Sequence, residues 1–98
     1  MAWKLETDGS EKPIDPDDGT EFTLKEMQAH IGGFVEVVAW VGGRHFGRNP
    51  INTMWVNEDG LGLKLPVNQK ASKIAGQPIV GPVVLIMDED PYAAWKAA

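Results

Sequence analysis

The chain has 98 residues, with 14 acidic and 9 basic side chains, a net charge of -5 and no cysteine. That length supports one domain with a modest core, and the absence of thiols excludes a disulfide framework, a thiolate metal centre and a cysteine nucleophile. A composition of 43% apolar and 23% charged residues is globular rather than disordered.

The charge is uneven. Residues 1–36 carry a net -6, residues 37–87 a net +3 and residues 88–98 a net -2. An acidic balance of this kind argues against direct nucleic-acid binding, which needs a basic footprint. The longest apolar run, residues 79–87, is too short to span a membrane. The start Met1-Ala2-Trp3-Lys4-Leu5-Glu6 lacks the basic and apolar regions of a signal peptide, so the expected location is the cytoplasm. The expected organisation is a single domain over residues 1–98. It divides into an acidic strand and loop (1–21), a core (22–87) and a tail (88–98).

Residues 2–6 read as a short strand, and residues 8–21, rich in Asp, Gly and Pro, as a loop. Thr23 and Glu26 have the spacing of a capping box, with Phe22 and Met27 placed as a hydrophobic staple. Leu24, Met27 and Ile31 form one apolar stripe, and Gly32 is the stop, predicting a helix over 23–31. Residues 34–41 read as a strand apolar on both faces, hence covered on both sides, which favours self-association. Gly42–Pro50 is a Gly-rich connection, and residues 51–57 the next strand. Asn57-Glu58-Asp59-Gly60 is a turn in which Gly60 takes positive φ, and residues 61–65 return as a strand. Asn68 caps a short helix over 69–75 that Gly76 ends. Residues 79–87 form a strand with Pro82 at its start, an edge or a bulge. In the tail, Asp90 and Pro91 suit the start of a weak helix. The expected class is α+β, a mostly antiparallel sheet of four or five strands with two short helices.

Several stretches occur in an order that carries a resemblance. They are Met27-Gln28, Ile31-Gly32-Gly33-Phe34-Val35-Glu36, Trp55-Val56-Asn57-Glu58-Asp59-Gly60, Leu65-Pro66-Val67-Asn68-Gln69-Lys70-Ala71 and Ile79-Val80-Gly81. Over roughly residues 22–87 the chain resembles a family of small phage and plasmid proteins that carry a domain of unknown function. The acidic segment 6–21, the tail and the length of Gly42–Pro50 depart from it. The resemblance implies a mobile-element accessory gene acting in a bacterial host, a class that often counters host defence, but it implies no activity or site residues.

The candidate chemistry is binding rather than catalysis, and no cofactor is expected. Ser10 and Ser72 lie outside any nucleophile motif. His30 and His45 have no second nitrogen ligand at helical spacing, so no metal site is expected. His30 lies at a helix C-terminus, where the dipole favours imidazolium. Arg44, His45 and Arg48 among glycines suit an anion, although no P-loop ending follows. Trp40 and Trp55, if on one face, form an aromatic platform; otherwise they serve core or interface. Glu36, Asn57, Glu58 and Asn68 form either a polar ligand cluster or a satisfied structural network. The first functional expectation is capture of a small nucleotide-like anion by Glu36, Trp40, Arg44, His45, Arg48, Trp55, Asn57, Glu58 and Asn68, with the site inside residues 36–73. The alternative is an inhibitor of a host protein, meeting a basic partner through Asp8, Glu11, Asp15, Asp17, Asp18 and residues 88–90. The third is a homo-oligomer without ligand.

Overall fold

The computed structural model describes residues 2–88. In chain order the elements are β1 (Ala2–Leu5), β2 (Glu11–Ile14), α1 (Leu24–Ile31), β3 (Val35–Val38), a 3-10 turn (Ala39–Val41), β4 (His45–Phe46), β5 (Asn49–Asn57), α2 (Gln69–Ala75) and β6 (Val83–Met87). The strands form one six-stranded sheet in the order β2-β1-β6-β5-β3, with β4 paired to β5. Every pairing is antiparallel. The fold is α+β.

Local chemistry sets both helices. Thr23 Oγ1 accepts the Glu26 N–H at 3.1 Å, and the Thr23 N–H donates to Glu26 Oε1 at 3.2 Å, closing the capping box. Gly32, at φ 86, takes the left-handed C-terminal position and donates to the Gln28 carbonyl. Met27 and Ile31 are buried, whereas Leu24 is 60% exposed, so the buried stripe is shorter than its periodicity implies. Asn68 caps α2 through the Ala71 N–H at 3.1 Å, and Gly76, at φ 72, ends it. The tail segment that suggested a helix lies outside the described residues.

The two helices cover opposite faces. Alternation along β6 sends Val83, Leu85 and Met87 into a core with Leu5, Val38, Ile51, Met54, Ala71 and Ala75 beneath α2. Val84 and Ile86 turn instead toward Ala2, Ile14, Met27 and Ile31 beneath α1. The centre of the sheet is therefore β6, and it is the strand covered on both sides.

That role was expected of residues 34–41, and the structure corrects the expectation. The strand ends at Val38, because the chain turns there to bury Val41 in the α2-side core. β3 is left at the end of the sheet, with Phe34 65% and Val37 41% exposed. Residues 61–65 are also no strand. They form consecutive turns, with Lys64 at φ 56 and Leu61 and Leu63 exposed. Gly60 is not at positive φ; it is glycine because a Cβ there would meet Val80 Cγ2 at 2.7 Å. Two strands lay inside segments read as loops. β2 contains Pro13, which an edge strand tolerates, and β4 turns Gly42–Pro50 into a hairpin arm.

Candidate binding groove

The basic loop is occupied by its own fold. Its backbone donors are already used: Gly42 N–H bonds the Ala39 carbonyl, Gly43 N–H that of Ile51 and Arg44 N–H that of Val41. An anion cradle needs such groups free. Arg44 donates through Nη1 to the Ile74 carbonyl, and Trp40 Nε1 donates to the Ala75 carbonyl at 3.3 Å. Both side chains thus satisfy the last turn of α2, where a cation also suits the helix dipole. His45 and Arg48 are exposed on the hairpin.

The aromatic platform is not formed. Trp55 lies opposite Val37 in the β3–β5 register and packs into the core beneath α1. Trp40 sits in the 3-10 turn and reaches α2, on the other side of the sheet. The polar cluster is likewise divided. Asn68 is fully buried, donating to the carbonyls of Leu5 at 3.0 Å and Gly81 at 2.9 Å while its oxygen caps Ala71. Asn57 is 7% exposed, and its oxygen accepts the Asp59 N–H at 2.8 Å, holding the 57–60 turn. Glu36 and Glu58 are exposed. Among the described residues no hydrogen bond joins any two of these four.

A cavity lies elsewhere, between the acidic segment and the α1 face of the sheet. It measures about 770 Å³, within the range of about 300–1,000 Å³ common for ligand sites. Its floor is Thr53 and Trp55 of β5 with Ile86 of β6, and Asn52 and Met87 stand at its edge. The β5–β6 register shifts between Ile51 and Thr53, an irregularity of the kind that re-aims side chains beside sites. Its wall is Asp15, Pro16, Gly19, Thr20, Glu21, Phe22 and Thr23, continued by Leu24 and Met27 of α1.

Two carboxylates hold that wall. Asp18 accepts the N–H groups of Thr20 at 2.8 Å and Glu21 at 3.0 Å. Glu26 accepts the Asp17 N–H at 3.0 Å in addition to its capping bond. These backbone donors favour the ionised forms and lower both carboxyl pKa values. Behind the wall, the His30 ring meets Phe22 edge-on at 6.2 Å. Burial, helped by Lys4 and Lys12, pushes the His30 pKa down, so desolvation outweighs the dipole effect expected from its place in the helix.

The groove combines three chemistries. Its floor is largely apolar, its rim carries Asp15 and Glu21, and among the described residues no Lys or Arg lines it. Among the described residues the Trp55 indole N–H is buried and has no hydrogen-bond partner, which costs free energy in the fold. Of the nine residues singled out in the sequence, only Trp55 lines this cavity. The anion-capture expectation missed the wall, whereas the protein-inhibitor alternative named Asp15, which lines the cavity, with Asp17 and Asp18 beside it. Among the described residues no three His, Asp or Glu side chains gather closely enough to hold a metal ion, and no helix is long and apolar enough to cross a membrane.

Comparison with known proteins bears on the family alone. No curated protein and no solved structure matches the chain. The family model described as a domain of unknown function, DUF3846, matches residues 5–93. The match reaches beyond the resemblance over 22–87 and takes in the acidic segment that forms the groove wall. The chain belongs to the DUF3846 family, whose match takes in both helices, strands β2 to β6 and every residue that lines the groove.

Proposed function

We propose that this chain is a non-catalytic binding protein whose groove takes a basic, apolar-anchored peptide segment of a partner protein. The observation that carries this reading is a cavity of about 770 Å³ with Trp55 in its floor, Asp15 and Glu21 at its rim and, among the described residues, no cation in its lining. A peptide supplies what this lining calls for: a Lys or Arg for Asp15 and Glu21, and an apolar side chain for the floor. A phosphate-bearing ligand would meet carboxylates with nothing to offset the repulsion. Capture of a nucleotide-like anion would instead rest on Arg44, His45 and Arg48, of which Arg44 already serves α2. In the mobile-element setting that the sequence pattern suggests, the partner would be a basic surface of a host defence protein.

The test is titration with a pooled library of Lys- and Arg-containing heptapeptides bearing one Leu or Phe, read by the NMR resonance of the Trp55 indole N–H. The expected result is a shift of that resonance that weakens with added salt and with Asp15→Asn and Glu21→Gln together. No shift with the basic library, or a shift produced by ATP or a cyclic dinucleotide instead, overturns the reading.

A further inference from the structure

The two ends of the sheet are built differently. β2, at one end, is Glu11-Lys12-Pro13-Ile14. Its proline and adjacent charges are devices that keep an edge from pairing, and Glu11 is drawn into an ion pair with Lys70 at 2.8 Å. β3, at the other end, is Val35-Glu36-Val37-Val38, without proline and with one charge. Among the described residues nothing pairs with its outer edge.

The phase of the ladder shows which groups that edge offers. The Glu58 N–H donates to the Phe34 carbonyl at 2.9 Å. Antiparallel bonding alternates, so Glu36 and Val38 direct their backbone groups inward to β5, while Val35 and Val37 direct theirs outward. The outward groups lie beside Val37 and Phe34, which are 41% and 65% exposed.

A second copy fits this edge poorly. Two-fold pairing that joins the outward groups of Val35 with those of the copy's Val37 is centred on Glu36. It sets the two Glu36 side chains directly opposite, about 5 Å apart at Cβ, where like charges destabilise the pairing. Centring on Val37 would avoid this, but would need an extended residue 39, and Ala39 is already in the 3-10 turn; centring on Val35 would need Gly33 in the ladder, and Gly33 sits in a bend with its N–H given to the Gln28 carbonyl. The position facing Glu36 therefore calls for a cation.

We infer that β3 is a strand-addition site for an extended segment of a different protein, with Lys or Arg opposite Glu36 and β-branched residues on either side. Main-chain bonds to Val35 and Val37 supply the attachment and Glu36 the selectivity. The site does not depend on the groove, and either can fail alone.

The probes are the capped heptapeptide Thr-Thr-Val-Lys-Val-Thr-Thr and its twin with Glu in place of Lys, each at saturating concentration. The readout is amide hydrogen exchange at Val35 and Val37 by NMR. With the Lys peptide, exchange at both amides is expected to slow by about tenfold, and with the Glu twin to remain unchanged. Glu36→Lys should reverse that preference. Absence of protection with the Lys peptide, equal protection by both peptides, or protection that appears without peptide and grows with protein concentration overturns the inference; the last outcome makes a second copy the occupant.

Discussion

Beneath α2, the buried Asn68 side chain finds acceptors at Leu5 and Gly81 and a donor at Ala71, and the helix's last carbonyls are met by Trp40 and Arg44. Beneath α1, a cavity of about 770 Å³ stays open and the Trp55 indole N–H has no acceptor. The same sheet thus has one face finished and one unfinished. A buried polar group already satisfied stabilises the fold, whereas an open cavity with an acidic rim leaves room for a ligand. This difference moves the candidate site from the basic loop to the acidic one.

The largest expected effect tests the finished face. Asn68→Ala strands the buried carbonyls of Leu5 and Gly81 and removes the α2 cap. It should cost roughly 3 kcal/mol in urea unfolding, and a loss near zero would mean the network is not what closes that face. On the open face, Trp55→Phe removes only apolar area, because the lost N–H had no partner. It should cost about 1 kcal/mol of stability while weakening binding of the basic peptides, because the groove floor loses ring area. If binding is unchanged, the Trp55 ring is not part of the site.

A smaller effect separates the two candidate sites. Arg44→Ala removes one donor from the carbonyls of the last turn of α2 and should cost about 0.5 kcal/mol, with peptide binding unchanged. Loss of ligand binding at intact stability would return the site to the basic loop.

The smallest effect is a pH dependence beneath α1. His30 has a lowered pKa in the fold, so the unfolded chain takes up its proton first as pH falls. Stability should therefore decline as pH drops through the ordinary histidine value of about 6.5, and His30→Gln should flatten that slope in thermal melts. Asp18 and Glu26 act lower. Their lowered pKa values give stability that is present above the ordinary carboxylate range and lost as pH falls through the folded-state values.

The helices were legible because their signals act over three or four residues. Thr23 with Glu26, Gly32, Asn68 and Gly76 each do what their types and spacing predict. The strands were legible in type and less so in extent. The apolar run 34–41 was assigned to one strand because periodicity cannot distinguish a residue that continues a ladder from one that, like Val41, turns to enter a core. β2 was hidden by Pro13, which only its place at an edge makes compatible with a strand. The 57–60 turn was read correctly through Asn57, but the reason for Gly60 was wrong, since Val80 sits beside it only in the folded sheet.

For the candidate site, residue type pointed to Arg44, Trp40 and Asn68, and the fold employs all three in its own bonding. A side chain suited to an anion or a base is equally suited to helix carbonyls, and only proximity decides which it meets. The sequence by itself determined the α+β class, the helix caps, the acidic front and the absence of thiol chemistry, because these follow from composition and short-range geometry. The tertiary structure alone decided that β6 is the two-sided strand, that the two tryptophans part to opposite faces and that the acidic segment walls a groove. Those outcomes depend on strand order and register, which join residues as distant as Ala2 and Ile86 and leave no local trace.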